Sequence, residues 1–197
     1  MISTDKGIYV AIINGKTNFM NEGTAYLKVF KLNESTNQFE QVGSNVHTGY
    51  VVESSLSESN GNIYVSYTDF SLNNKVFINK YENNTWKSIE GINLSASRAT
   101  IKASNNKLYL GTTLVSGQNS SQFYVYENNK WTKLGEDIGG IEVGDLVIDI
   151  NGEIPYVAYV DNEKGCSIVK KFDCDKWIQE GLNVSDEKIG KLDFKIS

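Results

Sequence analysis

The stretch Thr100-Ile-Lys-Ala-Ser-Asn-Asn-Lys-Leu-Tyr-Leu-Gly-Thr112, followed by Phe123-Tyr-Val-Tyr-Glu-Asn-Asn-Lys-Trp-Thr-Lys-Leu134, decides the fold. Thr100 to Ser104 reads as a short strand, and Asn105-Asn106 as a tight turn. Leu108 to Thr112 is a second strand, and a variable loop, Val115 to Ser121, follows it. Phe123 to Tyr126 is a third strand, Glu127 to Lys130 a turn, and Trp131 to Leu134 a fourth strand. The segments are rich in Val, Ile, Tyr and Thr and show no 3.6-residue period, so the pattern predicts strands. Two other copies of the first turn read Asn-Gly (Asn60-Gly61 and Asn151-Gly152), the favoured sequence of a two-residue hairpin.

The stretch is one copy of a repeat. Trp86, Trp131 and Trp177 recur at intervals of 45 and 46, and Phe39 precedes Trp86 by 47. Tyr81, Tyr126 and Phe172 stand five residues before these tryptophans, and Leu32 seven before Phe39. A glycine follows each aromatic by four or five residues: Gly43, Gly91, Gly135 and Gly181. A second landmark, Tyr9, Tyr64, Tyr109 and Tyr156, recurs at 55, 45 and 47. Four antiparallel strands per copy of about 45 residues are the blade of a β-propeller. A four-stranded sheet alone cannot cover its two faces, whereas blades stacked about an axis shelter one another. The repeated Trp is expected to pack between neighbouring blades, and the Gly after it to ease passage into the next.

The expected architecture is therefore all-β: one propeller domain, 1–197, with repeats at approximately 5–59, 60–104, 105–150 and 151–197. The chain starts near the second strand of a copy and ends on a first strand, Leu192 to Ser197. This predicts a last blade completed by N- and C-terminal strands together, which removes sheet edges. The alternatives are half of an eight-bladed ring, closed by a dimer, or a fragment of a larger propeller.

The fourth copy carries a likeness. Asp145-Leu-Val-Ile-Asp-Ile-Asn-Gly-Glu-Ile-Pro-Tyr-Val-Ala-Tyr-Val-Asp161, then Ser167 to Asp173 and Trp177, resembles the blade repeat of bacterial surface and secreted β-propellers. The resemblance implies the propeller fold and a secreted or cell-surface parent protein, with the cytoplasm as the alternative. It implies no particular function. A composition of 18 Lys to one Arg, rich in Asn, resembles that of a low-GC bacterium.

Composition narrows the functional classes. The chain has 197 residues, is 40% hydrophobic and 22% charged, and carries a net charge of −5. It is too aromatic and too weakly charged for disorder, and its acidity argues against a nucleic-acid footprint. No apolar run approaches the roughly 18 residues of a membrane helix, and Met1-Ile-Ser-Thr-Asp5 lacks the basic and apolar regions expected of a signal peptide. With one histidine, His47, a catalytic histidine cluster is impossible. Cys166 and Cys174 flank one predicted strand, roughly 26 Å apart, beyond disulfide reach. No metal site, cofactor or catalytic nucleophile signature is expected.

Candidate ligand-binding residues fall in the variable segments, which in a propeller open largely on one face. Phe19 and Phe70 can stack on a sugar ring or a peptide. Arg98 can clamp an anion, and His47 can serve as a ligand or a base. Asp69 and Asp161 stand in equivalent places after Tyr67 and Tyr159, as paired carboxylates, as oxygen ligands for calcium or as turn-forming aspartates. The expected function is a non-catalytic binding module for a glycan or a protein at this loop face. A structural or assembly segment without a small ligand is the first alternative. A carboxylate-dependent glycoside hydrolase or lyase is the second.

Overall fold

The computed structural model describes residues 1–17, 23–113, 120–138, 143–185, 192 and 194–196. Its strands form four antiparallel sheets, each a simple meander. The first holds β1 (Ile2–Thr4), β2 (Gly7–Thr17), β3 (Gly23–Asn33) and β4 (Gln38–Gln41), with a short β5 (His47–Gly49) also paired to β3. The second holds β6 (Val51–Ser59), β7 (Asn62–Asp69), β8 (Lys75–Glu82) and β9 (Thr85–Ser88). The third holds β10 (Arg98–Ser104), β11 (Lys107–Thr113), β12 (Ser121–Glu127) and β13 (Lys130–Lys133). The fourth holds β14 (Val143–Asn151), β15 (Ile154–Asp161), β16 (Cys166–Asp173) and β17 (Lys176–Gln179). One 3₁₀ turn, Phe70–Leu72, follows β7. No helix among the described residues is long and apolar enough to cross a membrane.

The turns explain the register. Asn60-Gly61, Asn83-Asn84, Asn105-Asn106, Asn128-Asn129 and Cys174-Asp175 all have positive φ at both central residues. That is the type I′ hairpin, whose twist matches the strands it joins and which Asn and Gly tolerate best. In the fourth sheet Asn151 pairs with Ile154, so the turn is Gly152-Glu153, one residue later than Asn-Gly suggested, with positive φ at Gly152. Each sheet begins one strand before its first hairpin turn, at Ile2, Val51, Arg98 and Val143.

The chain ends differ from the shared closing blade predicted. The first sheet takes its innermost strand from the N-terminus itself, as Ile2 pairs with Tyr9 and Thr4 with Gly7. Leu192 and Phe194–Ile196 carry no strand assignment. They lie along β14, where Leu192 N–H donates to Asp145 Oδ2 and Ile196 N–H to Asp149 Oδ2, each at 2.8 Å.

Two compact units make up the chain, Met1–Ser95 and Ala96–Ser197. Unit 1 is held by Tyr9, Leu27, Val29 and Val46 of the first copy, packed with Ile63, Val65 and Tyr67 of the second. Unit 2 is held by Tyr109, Phe123 and Ile138, packed with Ile148, Val157, Tyr159 and Ile168. Each such side chain contributes about 1.5–3 kcal/mol on burial. Two of the three repeated tryptophans, Trp86 and Trp177, pack between sheets as their spacing predicted, while Trp131 meets Tyr126 of its own sheet. Trp86 Nε1 donates to the Val42 carbonyl at 2.9 Å, and Trp177 Nε1 to the Leu134 carbonyl at 3.0 Å, so the indole ties each second sheet to the first. Gly43 and Gly135, next in sequence, have φ of +68° and +64°, and a Cβ on either would press on the aromatic pair it passes. Both cysteines are free, Cys166 buried and Cys174 exposed.

Candidate functional site

Three of the predicted residues meet at one end of the second sheet. Asp69 closes β7 and is 1% exposed. Its Oδ1 accepts from Ser71 N–H at 2.8 Å, Ser71 Oγ at 2.6 Å and Tyr50 N–H at 3.3 Å. Its Oδ2 accepts from His47 Nε2 at 2.6 Å. Burial pushes the Asp69 carboxyl up, but the bonds from Ser71 and His47 outweigh it and hold the carboxyl below its ordinary value. The His47 ring lies 4.9 Å from Tyr67 and 5.5 Å from Phe77, and Phe70 meets Tyr50 edge-on at 5.7 Å. The cluster is a lock. Asp69 caps the 3₁₀ turn and pins β5, and Ser71 Oγ donates to Asp69 rather than facing the imidazole. These three side chains therefore do not form the nucleophile–base–orienter order of acyl transfer.

The other predictions are distributed through the molecule. Arg98 opens β10 rather than lying in a loop, and its Nη1 donates to Asp145 Oδ1 at 3.0 Å. Four residues further along both strands, Lys102 of β10 pairs with Asp149 Oδ1 of β14 at 2.5 Å. Asp161 ends β15, fully buried; its Oδ1 accepts from Lys164 N–H at 3.0 Å, in the turn-forming role that was the alternative to a paired carboxylate. Lys164 Nζ stands 3.3 Å from Oδ2 as an ion-pair contact without hydrogen-bond alignment. Phe19 lies outside the described residues. No group of three or more metal-ligating side chains occurs among the described residues.

Sequence reasoning missed a cleft in the second unit. It has a volume of about 470 Å³ and is lined in unit 2 by Glu136, Asp137, Lys170, Asp175, Lys176 and Trp177, with Gly135 and Ile138. The size lies within the range of small-molecule sites. Trp177 is fixed by its bond to Leu134 and by Phe123 and Phe172, whose rings lie 4.7 and 5.1 Å away. Asp137 Oδ2 accepts from Ser120 Oγ at 2.7 Å and Gln122 Nε2 at 3.0 Å, while Lys133 pairs with Oδ1. Tyr124 in turn donates to Gln122 Oε1 at 2.8 Å. Burial raises the Asp137 carboxyl, but Lys133, Gln122 and Ser120 more than reverse this, so the group is an oriented anion at neutral pH. Burial, with repulsion from Lys164, lowers the Lys170 ammonium; its Nζ stands 5.9 Å from the Tyr159 ring centre. Burial and Asp161 push the Tyr159 phenol up to about 12, so it stays a neutral hydroxyl. One signal was readable in advance. Cys166, Ile168, Lys170 and Phe172 alternate onto one face of β16, and Lys170 breaks its apolar run.

No family model matches the sequence, and no curated relative does. Solved structures do. A lectin from Aleuria aurantia in complex with Fucα1-6GlcNAc is similar over 89% of this chain and 64% of its own, with TM-score 0.60 at 14% identity. A Bacteroides ovatus xyloglucan-locus protein, GH43B, is similar over 88% of this chain and 40% of its own (TM-score 0.51, 11% identity). A Hadza microbial sialidase is similar over 83% and 44% (TM-score 0.57, 9% identity). The chain thus spans less than two thirds of the length of each of the three. All are β-propeller proteins, and at these identities the likeness establishes the fold: the four sheets are propeller-type blades.

Proposed function

We propose that this chain is a carbohydrate-binding propeller module and that a sugar residue occupies the cleft beside Trp177. The observation that supports this is the cleft's chemistry: an indole held in place, an oriented carboxylate and a half-buried ammonium converge on one cavity. A sugar ring presents an apolar C–H face and a rim of hydroxyls. The face is served by an aromatic surface, and the rim by charged donors and acceptors, whose hydrogen bonds are stronger than neutral ones. Asp137 spends no free energy on being ordered when ligand arrives, because Ser120, Gln122 and Lys133 already hold it. The lectin among the similar structures binds a fucosylated sugar, which agrees with this reading at the level of class. Asp137 is lowered below its ordinary value, toward an ionised acceptor, which suits hydrogen bonding to sugar hydroxyls in this cleft.

A glycan array, followed by calorimetry with the best ligand and with α-methyl-L-fucoside, tests the reading. Asp137→Ala and Lys170→Met are expected to weaken binding at least tenfold each, as loss of a charged hydrogen bond costs about 1.5–3 kcal/mol. Thermal melts confirm that both variants fold. An array without a hit, or a hit whose affinity neither variant changes, removes the sugar from this cleft.

A further inference from the structure

In both units the same two surfaces hold one sheet against the next. In unit 1 the third strand and trailing segment of the first sheet, including Val29 and Val46, pack with Tyr67, Phe77 and Trp86. In unit 2 Phe123 and Ile138 pack in the same way with Tyr159, Ile168 and Trp177. The hydrogen bonds place Val184 where Val46 and Ile138 stand. Each donates its N–H to a third-strand carbonyl, at Ser167, Leu27 and Ser121 respectively. Val46 and Ile138 are 8% and 4% exposed, but Val184 is 65% exposed and its neighbour Leu182 89%.

The aromatic half of the contact is uncovered too, on the first sheet. Phe39 pairs with Leu32 as Trp86 pairs with Tyr81 and Trp177 with Phe172. Counting from the first hairpin, Ile12 holds the position of Tyr67 and Tyr159. Those two tyrosines are 2% and 1% exposed, whereas Ile12, Phe39 and Tyr26 of the same face are 43%, 51% and 38% exposed. One chain therefore carries both complementary halves of its own sheet-to-sheet contact, each open to solvent.

We propose that copies of this chain associate head to tail, the Ile12–Tyr26–Phe39 face of one copy covering the Val184 flank of the next. The argument for a second copy as the occupant is continuity. The contact already made twice within the chain is repeated a third time with residues at the same register positions. Such an interface is heterologous, so a pair closes only when both contacts form, and otherwise the copies run on as a chain. The Phe39 ring has no N–H to give to the Glu180 carbonyl, the counterpart of the Val42 and Leu134 carbonyls that the indoles reach. The contact between copies is accordingly weaker than those within one.

Sedimentation velocity of the whole chain over a wide concentration range tests this. The wild type is expected to form multiples of 22.0 kDa. Val184→Glu and Phe39→Glu should each shift the population to the single 22.0 kDa copy, with circular dichroism melts confirming that both fold. Mixing these two variants should restore a heterodimer, because each retains the half the other has lost. Phe39→Trp should tighten association about two- to tenfold by restoring one hydrogen bond. A wild type that stays at 22.0 kDa throughout overturns the proposal. So does a mixture of Val184→Glu and Phe39→Glu that fails to associate, or an oligomer that neither substitution disturbs.

Discussion

Replacing Asp69 tests whether the His47 cluster is a lock built for stability. Asp69 is 1% exposed and receives four hydrogen bonds, from Ser71 N–H, Ser71 Oγ, Tyr50 N–H and His47 Nε2. Ser71 is exposed and can rebind water, and the Tyr50 bond, at 3.3 Å, is long. The main loss in Asp69→Ala is then the short bond to half-buried His47 and the cap on the 3₁₀ turn. Bonds to a charged acceptor contribute about 1.5–3 kcal/mol and a cap about 1, so the expected cost is about 3 kcal/mol. For a chain of this size that lowers Tm by roughly 6–12 °C. Asp69→Asn preserves the shape and loses the charge, so its cost is smaller, about 1 kcal/mol. The sign of the pH dependence is fixed. The folded-state carboxyl lies below its unfolded value, so its stabilisation is complete above the ordinary carboxylate range. It fades as pH falls through the folded value. The gap in Tm between wild type and Asp69→Asn must therefore close on acidification. Gly49 supplies an independent approach to the same bond, because a Cβ there would collide with Asp69 Oδ2 and His47 Nε2. Gly49→Ala and Asp69→Asn should be non-additive by about 0.5 kcal/mol or more in a double-mutant cycle. Differential scanning calorimetry reads all of these. An Asp69→Ala variant melting within a degree of wild type, or strictly additive Gly49→Ala and Asp69→Asn, refutes the lock.

Two further substitutions probe the turns and the ladder. Cys174 sits at φ of +47°, where the other sheets place Asn, so Cys174→Asn should stabilise by about 0.5 kcal/mol, seen as a small rise in Tm; a fall contradicts the turn argument. Asp149 accepts from Lys102 and Ile150 N–H on one oxygen and Ile196 N–H on the other. An asparagine there must turn a donor toward one of them, so Asp149→Asn should release Ile196 and speed its amide exchange at least several-fold; unchanged exchange shows that the carboxylate does not hold the segment.

The repeat was legible because its landmarks are consequences of packing. A Trp that must bridge two sheets and a Gly that must pass beside it cannot drift in spacing, and Trp86, Gly43, Trp177 and Gly135 show both roles. The site was less legible for the converse reason. His47 and Asp69 are 22 residues apart and meet only because β5 folds back on β3 while β7 ends beside it. No spacing rule announces that. Asp137 and Lys170 come from a linker and from the middle of β16, and only the lysine leaves a trace, as a polar residue in an inward alternation. Arg98 looked like a loop cation because Leu94 to Arg98 is polar and irregular. Its role in pairing with Asp145 depends on the packing of the third sheet against the fourth, which only the fold reveals.

Unit 1 provides an internal control for the cleft. Gly43-Ser44-Asn45-Val46 follow the same turn as Gly135-Glu136-Asp137-Ile138, and the glycines pass the equivalent aromatic pairs, Tyr81 with Trp86 and Phe172 with Trp177. Asn79 stands in the register position of Lys170, and Asn84-Thr85 in that of Asp175-Lys176. The backbone cradle is thus built twice, once with neutral residues and once with charged ones. In the neutral copy Asn79 is 8% exposed and satisfied by the Tyr67 hydroxyl at 3.2 Å, with no charge to be desolvated. The backbone cradle therefore forms without a carboxylate at the place of Asp137 or an ammonium at that of Lys170. A half-buried lysine whose ammonium is disfavoured by burial costs stability unless something outside the fold uses it. On the proposed reading, the ligand uses the charges that unit 2 carries and unit 1 lacks. Lys170→Asn should abolish sugar binding while leaving the melting temperature equal to or above that of wild type, because burial disfavours its ammonium. Asp137→Asn should abolish binding too but lower the melting temperature slightly, because it gives up a carboxylate that Lys133, Gln122 and Ser120 stabilise. A drop of several degrees in Lys170→Asn would instead assign that charge to folding.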